Sequence, residues 1–225
     1  MIAGIIQARM GSKRLKGKSM LDLAGKPLLL RFIERVIQSE VLDKVILATT
    51  KNSEDDCLCD VARELGIEYY RGSENDLVDR IYECAINFRV STIVRLCADN
   101  PLIEAEEIDR IINHHLISAK RGVLYSNTHN ISNNGYPDGL GAEVYDIRTF
   151  GMLWKNETDC ELREHPHMWF YNNDMVETIQ CPEKLRGYSH LKLDVNTQEE
   201  YEYIKKIYDK FGHNDFHFLD YAGGL

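Results

Sequence analysis

IAGIIQARMGSKRLKGK, residues 2–18, joins two stretches of opposite chemistry. Ile2–Gln7 is a short apolar run, which predicts a buried strand. The segment after it is cationic: residues 1–21 hold Arg9, Lys13, Arg14, Lys16 and Lys18 and no acid. In an open parallel sheet, ligands bind beyond the carboxyl ends of the strands, and this loop occupies such a place by position. Gly11, Ser12 and Gly17 permit tight backbone whose amides can point at phosphate oxygens. The Lys and Arg heads add charge, so the loop is suited to a triphosphate. A solvated basic loop is the competing reading. Two familiar phosphate motifs do not fit: Gly11 and Gly17 are separated by five residues where a P-loop has four, no helix is expected at Lys18, and G-x-G-x-x-G is absent.

Further apolar runs follow at Lys44–Thr49, Ile67–Tyr70 and Thr92–Leu96. Between them lie helical stripes, among them Leu28, Leu29, Phe32, Ile33 and Val36, then Leu58, Val61 and Leu65, then Leu77, Ile81 and Ala85, then Ile108, Ile111 and Ile112. Ser53 with Asp56, Ser73 with Asp76 and Thr197 with Glu200 have the spacing of capping boxes. Alternating β and α predicts a parallel sheet with helices on both faces. The alternation breaks past about residue 122. Asn127–Gly141 reads as a long excursion, Val144–Tyr171 as helical in pieces, His190–Val195 as a strand and Thr197–Phe211 as a final helix.

The 225 residues have the size of one large domain, residues 1–225, with an excursion at about 127–175. The net charge of −9 argues against a general nucleic-acid binder. No apolar window is long enough to span a membrane, and basic residues follow rather than precede the first apolar run, so a cytoplasmic protein is expected. The six cysteines form no C-x-x-C pair or zinc spacing and are expected to be reduced. Asp99, just past a predicted strand, suits a hard cation; capping the helix that opens near Pro101–Glu104 is its plainer role.

The opening stretch resembles Q-A-R-x-G-S-x-R-L-P-G-K of the SpsF-type cytidylyltransferases of spore-coat polysaccharide synthesis, relatives of the acylneuraminate and ulosonate CMP-sugar synthetases. Arg71-Gly-Ser-Glu-Asn-Asp-Leu-Val-Asp-Arg80, Val94-Arg-Leu-Cys-Ala-Asp-Asn-Pro-Leu-Ile103, Tyr136-Pro-Asp-Gly-Leu-Gly-Ala-Glu143 and Arg163-Glu-His165 resemble further family blocks, in order along nearly the whole chain. The resemblance implies a three-layer, Rossmann-like nucleotidyltransferase fold of GT-A type, with a mostly parallel sheet and a late excursion used for dimerisation. It implies transfer of CMP from CTP to an acidic or modified sugar, with Mg²⁺ as cofactor and a homodimer as the assembly. A sugar phosphate or phosphonate acceptor, or a nucleotide binder with impaired catalysis, are the alternatives.

On this resemblance Gln7, Ala8, Arg9, Gly11, Ser12, Lys13, Arg14 and Lys18 hold the nucleotide's phosphates, with Ser73, Asp76 and Arg80 near base or ribose. Arg9, Lys18 and Asp99 carry the chemistry. Asp138, Glu143, Arg163 and His165 face the acceptor, Arg163 to pair with a carboxylate and His165 or Glu143 to help take the hydroxyl proton. Surface pairing of Asp76 with Arg80 at i, i+4, and an internal salt-bridge network for the acceptor-side group, are the plainer readings. The chain departs from the family at Lys16, where a Pro is expected, at Gly141, where an Asp is expected, and at Asn196, where the pattern V-D-T-P-E-D has its first Asp. The metal is therefore expected on Asp99 with Asn196 or with Asp194, which shares a strand face with residue 196.

Overall fold

The computed structural model describes residues 1–12, 14–119, 125–127 and 134–223. Strands β1 (Ile2–Gln7), β4 (Lys44–Thr50), β5 (Glu68–Gly72) and β6 (Thr92–Cys97) form the parallel half of a sheet, alternating in sequence with helices α1 (Leu28–Val36), α2 (Asp56–Glu64) and α3 (Leu77–Asn87). A two-strand ribbon, β2 (Asp22–Leu23) with β3 (Lys26–Pro27), sits between β1 and α1. Helix α4 (Ala105–Ala119) leads to β7 (Tyr125–Asn127) and β8 (Glu143–Asp146). Helices α5 (Ile147–Asn156), α6 (Cys160–Glu164) and α7 (Pro166–Asn172), strand β9 (Glu177–Thr178), and helices α8 (Gln198–Phe211) and α9 (Phe218–Ala222) complete the described chain.

The sheet order is β5-β4-β1-β6-β8-β7-β9. β8 runs antiparallel to β6, with Arg95 opposite Glu143. The expectation of a mostly parallel, three-layer α/β architecture therefore describes the molecule, with the reversal confined to the excursion. The strands are apolar on both faces because both are covered. Ile6, Leu47, Val94 and Leu96 pack beneath α1, α2, α4, α8 and α9. Ala3, Ile5, Ile46 and Ile93 pack beneath α3, α5 and α7, where Phe170 of the Trp169–Tyr171 cluster is core.

Four local expectations need correction. His190–Val195 forms no strand: only Asp138 and Lys192 make a bridge. Gly139, at φ +90°, lies so close to the chain that a Cβ would stand 2.8 Å from the Leu193 carbonyl carbon, and the pairing stops there. Ser53 caps nothing; Ser53–Asp55 is a 3₁₀ turn, and the Asp56 carboxylate is taken by Arg71 at 2.5 Å. Ser73 does not cap α3 either, since Asp76 does so itself, accepting from Asp79 N–H at 2.9 Å. A 3₁₀ turn, Lys18–Met20, does begin at Lys18. The Thr197–Glu200 capping box is present as read, although α9 follows the helix it opens. Part of the predicted excursion, residues 128–133, lies outside the described residues; Asn134 and Tyr136 beyond it are buried.

Candidate active site

The carboxyl ends of β1 and β6 and the segment after β5 open into a cleft of about 680 Å³. Its rim is the basic loop, whose shape is set from below. Asp55, 1% exposed, accepts the Met10 N–H at 2.7 Å and a short bond from the Thr50 hydroxyl. Met10 in turn accepts from the Ser12 and Gly17 amides at 2.9 and 3.2 Å, and Gly17 adopts φ +71°, a left-handed turn that suits glycine. The turn brings residues 9–18 back over the cleft. Of the loop, Gln7, Ala8, Arg9, Gly11, Ser12, Arg14 and Lys18 line it; Lys13 lies outside the described residues.

Each described cationic side chain that lines this loop is met by an acceptor across the cleft. Lys18 Nζ lies 2.7 Å from Asp99 Oδ2, 3.0 Å from the Val195 carbonyl and 3.3 Å from Asn196 Oδ1. Arg14 donates to Asn196 Oδ1 at 2.7 Å. Arg9 donates to the Glu74 carbonyl at 2.9 Å and to Glu164 at 3.0 Å. Asn196 is thus a hub: its oxygen accepts from two cations while its amide donates to Asp194 Oδ2 in a short bond. Asp194 Oδ1 is buried with no partner among the described residues. Burial, and then the neighbouring Asp138 and Asp99 carboxylates, push the Asp194 carboxyl above its ordinary value.

Among the described residues no three His, Cys, Asp or Glu side chains already stand close enough to hold a metal. The donor set nonetheless fits a hard divalent cation. An unpartnered buried carboxylate oxygen on Asp194 and the Asp99 carboxylate are oxygen ligands, and Mg²⁺ usually takes one or two such groups together with substrate phosphates. The Asn196 oxygen, facing Arg14 and Lys18, is engaged elsewhere in this arrangement.

Arg80 lies at the other end, 3% exposed. Its Nη1 donates to the Ser73 and Glu74 carbonyls, while its buried Nε has no partner among the described residues. Burial, and then Arg9, lower its pKa from the ordinary arginine value. Ser73 contributes through its backbone, and its side chain does not line the cleft. Asp76 does not line the cleft and is not paired with Arg80: its carboxylate meets Arg163, at 2.8 Å from both Nε and Nη2.

On the acceptor side, Asp138 and His165 line the cleft and two expected residues do not. Glu143 is 1% exposed, holding Arg95 at 2.5 Å and the Tyr145 hydroxyl, so it sits behind the cleft wall. Arg163 is consumed by Asp76 and by the Trp154 and Glu157 carbonyls at 2.8 and 2.9 Å, so it fastens the residue 157–164 segment onto α3. Three histidines outside the candidate set face carboxylates: His114 meets Glu177, His167 meets Glu143 and His217 meets Glu104. Residues missed from sequence include Arg95, Cys97, Glu74 and Glu164. Arg95 and Cys97 were legible, since both precede Asp99 on one strand face. Glu74 acts through its carbonyl, which no side-chain pattern reveals. Burial pushes the Cys97 thiol up to about 12, so it is a neutral wall group.

A family model described as "Cytidylyltransferase" matches residues 3–221. The spore coat polysaccharide biosynthesis protein SpsF of Bacillus subtilis (strain 168) is 31% identical over 221 residues, covering 92% of this chain and 86% of that protein. A solved cytidylyltransferase from Leptospira borgpetersenii serovar Hardjo-bovis superposes with a TM-score of 0.90 at 27% identity, covering 97% of this chain and 91% of the other. The CMP:2-keto-3-deoxy-manno-octonic acid synthetase solved with CTP shares the fold, with a TM-score of 0.70 at 16% identity over 93% of this chain and 99% of the other.

Proposed function

This chain belongs to the cytidylyltransferase family, and from that premise we propose that it transfers CMP from CTP to an acidic sugar, releasing pyrophosphate, for surface polysaccharide synthesis. It is a nucleotidyltransferase with CTP as donor. The observation that carries the finer reading is that Arg9, Arg14 and Lys18 line one cleft with Asp99 and Asp194, Lys18 meeting Asp99 and Arg14 meeting Asn196. Cations and carboxylates lining the same cleft suit a polyanion bound with a divalent ion. An acceptor hydroxyl attacks the α-phosphorus, the bond to the bridging oxygen of pyrophosphate breaks, and the hydroxyl proton passes to the His165 imidazole, which lines the acceptor side of the cleft beside Asp138.

Positioning and charge stabilisation dominate such a transfer. Lys18 and Arg14, fixed by the Asn196 oxygen, are aimed where negative charge gathers on the leaving pyrophosphate. Arg9, released from Glu164, adds a third donor. Mg²⁺ on Asp99 and Asp194 would supply charge neutralisation of the phosphates. Asp194 supports retained activity despite Asn196, because it restores the carboxylate the family pattern leads one to expect. Arg80 Nε, without a partner among the described residues, suits the cytosine, whose O2 and N3 are both acceptors.

No helix among the described residues is long and apolar enough to cross a membrane, and the reading places the enzyme in the cytoplasm. Met152 on α5 and Met168 on α7 stay exposed in the excursion, which supports a homodimer formed there. The reading is tested by thermal shift: CTP with Mg²⁺ raises Tm more than ATP, GTP or UTP, and pyrophosphate appears from CTP when a sugar acid is added. Equal shifts with all four nucleotides would reject it.

A further inference from the structure

With Arg163 consumed by Asp76, the charge complement for an acidic acceptor must come from elsewhere on that side of the cleft. Arg9 belongs to the loop after β1 assigned to the phosphates, and is held there by the Glu74 carbonyl after β5 and by Glu164 of α6. Arg95 lies on β6, opposite Glu143 of β8. It lines the cleft although the residue is 6% exposed. Nε donates to Gln7 Oε1 at 2.8 Å and Nη1 to Glu143 Oε2 at 2.5 Å. Nη2 has no partner among the described residues.

Two anchored nitrogens fix the plane of a guanidinium, so the third donor is held in one direction before any ligand arrives. Tyr145 donates to the same Glu143 oxygen, which braces the anchor. Unlike the Arg80 Nε, this third corner is not sealed from solvent, so a ligand oxygen entering the cleft can take the place of water on it. An ionised oxygen forms the stronger bond with such a donor. A single fixed corner also matches one carboxylate oxygen better than a dianionic phosphate with three.

We propose that Arg95 is the residue that selects an acidic acceptor, its Nη2–H donating to a carboxylate oxygen of the sugar while Gln7 and Glu143 hold the guanidinium plane. This rests on the cytidylyltransferase reading above. It moves to Arg95 the role that sequence had suggested for Arg163, and it makes Glu143 a positioning residue rather than an acceptor contact.

The test uses the full chain with CTP, Mg²⁺ and 2-keto-3-deoxy sugar acids, each beside its primary carboxamide, together with neutral sugars and sugar phosphates. Pyrophosphate release and the CTP-induced Tm shift are both read. The wild-type enzyme is expected to prefer acid over amide at least about tenfold in kcat/KM. Arg95→Lys, which keeps the charge and loses the fork, should erase most of that preference through KM and leave the CTP shift unchanged. The pair Arg95→Met with Glu143→Gln, which leaves no buried charge unpaired, should do the same. Acid preference surviving in both variants overturns the proposal, as does loss of the CTP shift, which would put Arg95 on the nucleotide. Turnover of neutral sugars or sugar phosphates alone overturns it while nucleotidyl transfer stands. A wild-type enzyme with neither CTP shift nor pyrophosphate release would instead overturn the underlying function, and this proposal with it.

Discussion

Lys18 Nζ and Asp99 Oδ2 stand 2.7 Å apart, joining the loop after β1 to the end of β6 across the mouth of the cleft. Both side chains keep partial access to solvent, so the pair can open without unfolding anything.

Removing either member should therefore spare the fold and damage the reaction. Asp99→Ala is expected to abolish Mg²⁺-dependent CTP stabilisation and turnover. Lys18→Met should lower kcat by about 10²–10³, the usual cost of losing one well-aimed donor. Unchanged far-ultraviolet circular dichroism with lost pyrophosphate release is the expected pair of readings. Normal turnover in Asp99→Ala would reject its role.

Arg80 should set the choice of base. Its Nε–H suits the N3 acceptor of cytosine and opposes the N3–H of uracil. Arg80→Lys preserves most of the packing and removes the fork. CTP should lose roughly 10–100-fold of its advantage over UTP in competition binding. A variant that still rejects UTP as strongly as before would show that the base is read elsewhere.

Asn196→Asp returns the residue that the family pattern leads one to expect, and it sets a carboxylate against Asp194 Oδ2 where an amide now donates. Without metal the two like charges repel, so the free protein should be less stable at neutral pH. With CTP present, Mn²⁺ titration followed by electron paramagnetic resonance should show affinity tighter by about tenfold, because ligand charge sets the strength of such sites. Unchanged affinity would mean that neither residue 194 nor 196 reaches the ion.

Asp146 tests the linkage of charge to stability away from the cleft. Burial alone would raise its carboxyl, but the Arg148 hydrogen bonds outweigh burial and hold it below the ordinary value. It caps α5, accepting the Arg148 N–H at 2.8 Å. A depressed folded pKa means stability is present above the ordinary carboxylate range and is lost as pH falls through the folded value. Asp146→Ala should cost about 1 kcal/mol in urea unfolding at pH 7. That difference from wild type should shrink as the pH falls below the usual Asp range.

The parallel half of the fold was legible because burial on both faces leaves short continuous apolar runs, and these alternate with period-3.6 helical stripes from Ile2 to Leu116. Of the candidate site, Arg9 and Asp99, just past β1 and β6, line the cleft that strand ends lead one to expect, and Lys18 joins them because the turn at Gly17 brings it back. The site was illegible where the partner is distant in sequence. Nothing near Arg163 announces Asp76, 87 residues away, and nothing near Glu143 shows that Arg95 covers it. The stretch His190–Val195 misled because its alternation is that of a strand, while it meets a neighbour as one only at Lys192, opposite Asp138. Such outcomes depend on tertiary packing, which local periodicity does not encode.

Asp55 has a consequence for the thermodynamics of nucleotide capture. Its carboxylate pins Met10, so the turn carrying Arg9, Gly11 and Ser12 is already shaped by the floor beneath it. Engagement then becomes an exchange of counter-ions, Glu164 and Asp99 giving way to the incoming polyanion, rather than the ordering of a slack segment. Capture should accordingly be fast, sensitive to ionic strength, and accompanied by little change in heat capacity.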